Sequence, residues 1–305
     1  GVDADHAEAT RMVSRFPVGT GPHFAVPMVG NVAMFAYNKA VFAKHGLAAP
    51  QNWTAVRDAA KKIASAEQAM SGVVFRGVKG NPIVTGFLPI LGAFGGKVVD
   101  ADGKAALNSK ESLAALNLWL DLAKHAPKGV STYNATEVRD ALAQGATAMS
   151  IEVWPSWVGP LDDPAKSKVV GQVEIVAPPG EAVGPAPMLG AWLVAIPETS
   201  KNKALARKFI DVLTSAPVQK EIALKTGTPP TRSSVYADPA MKTAYRWYPA
   251  QGEALKIAKP RPRISEWSKV EAVLGDFLQL ALIGDMTPQA ALAEAHKRIA
   301  TVLGR

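Results

Sequence analysis

Cysteine is absent from the 305 residues. Disulfide frameworks and thiolate metal sites are therefore excluded, while the compartment stays open, because exported and cytosolic proteins can equally lack the residue. No unbroken apolar run approaches the ~20 residues that a membrane-spanning helix requires, and charges interrupt every hydrophobic stretch. Residues 1–10 are polar and acidic, without the basic start and apolar segment of a signal peptide. The common catalytic signatures are missing as well: no Walker A loop, no Gly-x-Ser-x-Gly, no Gly-x-Gly-x-x-Gly after a strand and no His-Glu-x-x-His. The five histidines, His6, His23, His45, His125 and His296, fall singly in polar contexts, which predicts surface positions. No enzyme, metal or cofactor is expected from this.

Hydrophobic residues make up 48% of the chain, enough at this length for one large or two medium cores. The net charge is +8, and Tyr245-Arg246-Trp247-Tyr248 and residues 256–263 interleave basic residues with aromatics or proline, as a nucleic-acid groove would. Elsewhere the cations, among them Lys61, Lys62, Lys201, Lys203 and Lys297, are dispersed along helix faces. That scatter argues against nucleic acid as a partner.

The residues around which the rest is organised are 190–197, Gly-Ala-Trp-Leu-Val-Ala-Ile-Pro. Both alternating faces are apolar, which predicts a central strand covered by helices on both sides. A helix over 200–213 follows, with Ser200 as its cap and Leu205, Phe209, Val212 and Leu213 on its buried face. Earlier, 24–26 and 31–37 read as strands, Asn38 as the cap of a short helix, and Thr54 as the cap of a helix with Val56, Ala59, Ala60 and Ile63 inward. A short strand over 71–76, helices over 83–94 and from Ser109, a strand over 147–153 leading to Trp154, and a strand over 172–177 complete the first half. Pro217 opens and Gly227 closes a further helix. Residues 245–263 carry no clean period, and the chain finishes in two helices. The alternation gives an α/β architecture.

Several runs agree in order with one family. Val26-Pro27, Gly30-Asn31, Tyr37-Asn38-Lys39, Phe42, Gly46-Leu47, Pro50 and Trp53 form the first; Gly95-Gly96 with Asp102-Gly103-Lys104 the second. Gly145-Ala146-Thr147-Ala148-Met149 precedes Trp154, residues 190–213 lead to Ser215-Ala216-Pro217-Val218-Gln219-Lys220, and Pro230-Thr231-Arg232 follows. This series resembles the substrate-binding proteins of ABC importers, in the maltose-binding-protein-like branch that takes sugars and sugar alcohols. It covers residues ~24 to 305 in family order, which chance seldom gives.

The resemblance implies a two-lobed, type II-like periplasmic-binding-protein fold whose lobes are joined by hinge crossings near Pro27, Gly190 and residues 255–260 and close on ligand. Lobe I would comprise 1–27 and 189–254, lobe II 28–188 and 255–305. Family members begin with a signal peptide and the first strands of lobe I, so lobe I is expected to be incomplete here and the strand at Trp192 to lack its natural neighbours. Ala191 replaces a glycine common in the family. By this resemblance the protein works in the periplasm as a monomer, binds a carbohydrate or polyol, and passes it to inner-membrane permease subunits.

A sugar has a face of C–H groups and a rim of hydroxyls, so its site pairs flat aromatics with hydrogen-bonding groups. The residues expected at the ligand are Asn31, Glu152, Trp154, Gly190, Trp192, Arg232 and Trp267, with Tyr133 a fainter candidate; Trp53, Trp119 and Trp157 are expected in the core. Arg232 has an alternative role, pairing with a carboxylate across the hinge. The rival readings are a receptor for a charged solute such as glycerol phosphate or a polyamine, and a glycoside hydrolase using Glu152 with Asp162 or Asp163. Asp162-Asp163-Pro164 reads better as a turn.

Overall fold

The computed structural model describes residues 1–304. In chain order the elements are α1 (Glu8–Val13), β1 (Val26–Val32), β2 (Met34–Asn38), α2 (Lys39–Lys44), α3 (Trp53–Ala66), α4 (Asn81–Ala93), α5 (Lys110–Ala123), α6 (Ala135–Ala143), β3 (Met149–Val153), β4 (Val173–Val176) and β5 (Leu189–Val194). Helices then take over: α7 (Lys203–Leu213), α8 (Ala216–Thr226), α9 (Ser233–Ala237), α10 (Pro239–Ala244), α11 (Tyr248–Ile257), α12 (Trp267–Ile283) and α13 (Pro288–Leu303). This is the expected α/β alternation with a helical finish. Among the described residues no helix is long and apolar enough to cross a membrane.

The chain divides into two compact units. The first holds Gly1–Met34, Trp154–Gly159 and Pro187–Arg261; the second holds Phe35–Val153, Pro160–Ala186 and Pro262–Arg305. Residues 28–34, 154–159, 187–188 and 255–261, allotted to lobe II above, fall in the first unit, where β1 pairs with β5 and α11 packs on β1.

The second unit is built on a sheet in the order β3-β2-β4, with β2 and β4 antiparallel. Parallel bridges from Ser71 to Thr147 and from Val74 to Ser150 add the 71–76 segment beside β3. Phe35, Phe75, Ile151, Trp53, Phe87, Trp119, Leu274, Phe277 and Ile299 meet in one continuous core. Several helix starts are settled locally: Asn38 caps α2, Ser109 caps α5 and Thr287 caps α13, each side chain accepting a backbone N–H. At α3 the cap is Asn52, not Thr54. The Thr54 N–H and hydroxyl both donate to the Glu181 carboxylate, which approaches from a distant part of the chain.

The first unit departs from the reading of residues 190–197 as a covered central strand. Here β5 pairs antiparallel with β1 in a two-stranded sheet, and no further strand among the described residues joins it. It is therefore not a central strand covered on both faces: Trp192 is 66% exposed, and β5 ends at Val194. The helix after it begins at Lys203, with Asn202 in the capping position, because residues 197–200 turn before it. Of its expected inward face, Leu205, Phe209 and Val212 are exposed and Leu213 is half-buried, while the buried residue of the helix is Ile210, which that face does not include. Beside Ile210 lies an open cavity of about 350 Å³, lined in part by Phe24, Val26, Val194, Ile196 and Arg207.

Residues 245–263, without visible period in the sequence, contain α11. Its Tyr248 is buried against Tyr236, ring centroids 5.9 Å apart, and against Tyr245, 4.9 Å apart, and Trp247 is buried as well. The aromatic half of the basic-aromatic stretch is thus core.

Candidate functional site

In the first unit the register of β1 on β5 sets Asn31 opposite Gly190 and Val29 opposite Trp192. Residues directly opposite, and residues two apart on one strand, share a face of a sheet. Asn31, Gly190 and Trp192 therefore lie on one face. Onto this face presses the six-membered ring of Trp154, whose Cζ3 would be 2.3 Å from a Cβ built on Gly190. Only glycine leaves room for that approach. Trp154 itself is buried, and Pro155 turns the chain sharply behind it into a 3-10 turn, Pro155–Trp157.

That turn carries Ser156 to the same place. The Asn31 amide donates from Nδ2 to Ser156 Oγ at 2.9 Å, while its Oδ1 is buried without a partner among the described residues. A buried polar atom left unpaired costs on the order of 1–3 kcal/mol, a cost that a hydroxyl donor at this oxygen would relieve. Four of the expected residues, Asn31, Trp154, Gly190 and Trp192, are thus gathered in one neighbourhood, and Ser156 joins them.

The other face and edge of β1 are taken by the loop before α9. Gly30 N donates to Pro229 O at 3.0 Å, and a Cβ on Gly30 would stand 2.3 Å from the Pro230 oxygen. Arg232 follows in this loop, buried, its Nε donating to Thr214 O at 2.6 Å and its Nη1 to both Asp3 oxygens at 3.1 Å and to Asp5 at 3.2 Å. It does pair with carboxylates, but with two from its own unit, and its fork is spent on holding residues 3–5.

Burial works to raise the Asp3 and Asp5 carboxyls, and the hydrogen bonds and charge around them prevail, from Arg232 at Asp3 and from Ser234 and Arg232 at Asp5, so both titrate below the ordinary range. His6 completes the cluster. Contrary to the surface position expected of it, it is fully buried, with Nδ1 2.9 Å from Thr231 Oγ1, and burial together with the Arg232 charge lowers its pKa to about 4.

Glu152 and Trp267 belong to the second unit. Glu152, expected to face ligand, has no exposed surface: Arg76 Nε donates to its Oε2 at 3.0 Å, and Arg76 Nη2 donates to its Oε1 and to Thr85 Oγ1. Trp267 opens α12 half-buried against the second unit's core. Tyr133 packs there too. Of the tryptophans expected in the core, Trp53 and Trp119 are fully buried and Trp157 is half-buried. Asp163 accepts the Ala165 N–H in a turn, as its sequence context suggests. The sequence does not single out Ser156 or Arg76; the charge ending the apolar 73–75 run is the available signal for Arg76.

Chemically, the face in the first unit offers two indoles, a neutral amide and a hydroxyl. Such a set suits a ligand with C–H patches and hydroxyls, and lacks the concentrated charge that would hold an ion.

The family model for bacterial extracellular solute-binding proteins matches residues 4–220. Maltose-bound MalE3 of T. maritima superposes with a TM-score of 0.88 at 30% identity, over 98% of this chain and 76% of that one. A solute-binding protein of Agrobacterium radiobacter K84 in complex with ribitol gives 0.88 at 29% identity, over 98% and 75%. The mannitol-binding protein of Pseudomonas aeruginosa is 27% identical over 93% of this chain and 70% of its own length. The chain spans 64% to 70% of the length of the three curated relatives that share at least 92% of it at 25% to 27% identity.

Proposed function

The chain belongs to the bacterial extracellular solute-binding proteins, and from that premise we propose that it is the receptor of an ABC importer for a sugar or sugar alcohol. The observation that carries the choice of ligand is the single sheet face on which Trp154 presses against Gly190 beside Asn31, with Trp192 open to water on the same side. An indole laid on the C–H face of a polyol contributes on the order of 1–3 kcal/mol by burial and stacking. The Asn31 oxygen, unpaired among the described residues, takes a hydroxyl as its donor, and Ser156 adds a second polar contact. Similarity to proteins bound to maltose and ribitol, and to a mannitol-binding protein, supports the same class.

In this reading the protein performs no chemistry. Ser156 is bonded to an amide and not to a base, and a serine needs an adjacent base to act as a nucleophile. The protein acts outside the cytoplasmic membrane as a monomer and hands its solute to permease subunits.

Isothermal calorimetry with ribitol, D-mannitol and maltose tests the proposal. At least one should bind saturably at one site per chain. Silence toward every neutral sugar and alcohol, with heat from glycerol phosphate or a polyamine, would replace it with a charged-solute receptor. New reducing ends released from malto-oligosaccharides would replace it with a hydrolase.

A further inference from the structure

The amide of Asn31 offers an acceptor oxygen at one end and a nitrogen with two donor protons at the other. The two ends are nearly equal in size and shape, and the torsion that exchanges them is broad, so packing alone does not choose between them. Their hydrogen-bond partners do. Here the partner is Ser156, whose Oγ accepts from Asn31 Nδ2 at 2.9 Å. The turn behind Trp154 delivers it, closed by the Trp157 N–H donating to the Trp154 carbonyl at 2.9 Å. Ser156 is exposed while Asn31 is buried, so the hydroxyl takes the amide proton and keeps its own for water or solute.

The reverse orientation is the costlier one. As the amide stands, its Oδ1 is buried without a partner among the described residues. Turned over, it would set two N–H protons in the place of that one acceptor, and a buried donor left unmade carries its full desolvation penalty.

We propose that Ser156 is a positioning residue that sets the specificity of the solute face. By engaging Nδ2 it leaves only the oxygen of Asn31 for the solute, so the receptor selects a hydroxyl that donates and rejects a group at the same place that only accepts. Fluorine, an ether oxygen, a ketone and a carboxylate all belong to the rejected class, so sugar alcohols are preferred over the ketones and acids formed by oxidising them. Asn31, Ser156, Trp154 and Gly190 all belong to the first unit, and Asn31 lies on the strand face where Trp154 covers Gly190. The inference rests on the polyol reading and deepens it, from a class of ligand to the direction of one hydrogen bond.

The test is calorimetry on wild type, S156A and S156T with D-mannitol and its 1,6-, 2,5- and 3,4-dideoxydifluoro derivatives. Fluorine accepts weakly and donates nothing, and the paired substitution follows the twofold symmetry of mannitol, so the solute cannot avoid the change by binding end for end. Wild type should lose about 5- to 150-fold on at least one derivative, the cost of an acceptor left without its donor. S156T keeps the hydroxyl and should keep that penalty. S156A should bind mannitol more weakly and lose most of the penalty, because the freed amide turns its nitrogen toward the fluorine. Should ribitol or maltose bind where mannitol does not, its deoxyfluoro derivatives take the place of these.

A second measurement needs no solute. In nitrogen-15 spectra the side-chain amide of Asn31 is assigned by its absence from Asn31→Asp; the proton bonded to Ser156 should lie downfield in wild type and S156T and return upfield in S156A. Equal wild-type affinity for the parent solute and all its fluorinated derivatives overturns the proposal. So does an undiminished penalty in S156A, or an Asn31 amide that ignores the loss of the hydroxyl. Failure of mannitol, ribitol and maltose alike would instead remove the polyol reading, and the amide resonances would still decide whether Ser156 holds Asn31.

Discussion

The ring of Trp154 fills the space that a side chain at Gly190 would need, with 2.3 Å between its Cζ3 and a Cβ built there. Neither the ring nor the strand can give way cheaply, because Trp154 is buried and Gly190 is held in register opposite Asn31. Gly190→Ala should therefore displace the ring, destabilise the protein by about 1–3 kcal/mol as overpacked cores do, and weaken polyol binding. Urea unfolding and calorimetry on the same preparation check this. A Gly190→Ala protein with wild-type stability and affinity would show that the contact carries no weight.

The two tryptophans of that face should part company. Trp192 is 66% exposed, so Trp192→Ala should leave stability within about 0.5 kcal/mol, as for surface positions generally. Its effect on solute affinity should be a loss of roughly 5- to 150-fold, the equivalent of 1–3 kcal/mol. Trp154→Ala should weaken binding and also cost about 3–5 kcal/mol of stability, the usual penalty for truncating a buried aromatic. Unchanged affinity in a folded Trp192→Ala would remove that residue from the site.

Acid should loosen the first unit in two stages. The His6 pKa falls from 6.5 to about 4 on folding, so between those values the unfolded chain takes up a proton that the folded one refuses. Stability is full above about 6.5 and declines as pH falls toward 4, by about 3 kcal/mol at one pKa unit per 1.4 kcal/mol. Asp3 and Asp5, lowered in the folded state, stabilise above their unfolded values and lose that contribution at still lower pH. Urea midpoints at pH 7.5, 5.5 and 4.5 should fall steeply for wild type and less for His6→Gln; parallel slopes would refute the assignment.

Along α7, Leu205, Phe209 and Val212 face water. A double substitution, Leu205→Glu with Phe209→Lys, should change stability by no more than about 0.5 kcal/mol while reducing self-association, since contiguous exposed apolar surface promotes it. Sedimentation velocity over a concentration series distinguishes the two proteins. A large loss of stability would mean that these side chains are packed in solution.

What the sequence reveals and conceals follows the range of the interactions. Asn38 and Ser109 cap helices through bonds to residues two or three positions on, and such bonds are legible in a string of letters. Thr54 has the residue type of a cap, yet its N–H goes to Glu181, and His6 sits among polar neighbours in sequence, yet its partners are Thr231 and Arg232. The alternation of residues 190–196 announces a strand, but how many neighbours cover it depends on pairing, which alternation does not encode. Family motifs singled out Asn31, Trp154, Gly190 and Trp192; that they share a face comes only from the register of β1 on β5. Glu152 looked available because nothing near it in sequence announces Arg76 as its partner.

The unequal burial of the seven tryptophans makes the molecule its own optical probe. Trp53, Trp119, Trp154 and Trp247 are sealed from water, Trp157 and Trp267 are half-sealed, and Trp192 stands open. An aqueous quencher such as iodide will therefore extinguish chiefly the red edge of the emission, where a water-bathed indole radiates. Solute settling on Trp192 will protect that edge and shift the spectrum to the blue, so occupancy can be followed by light without attaching a dye.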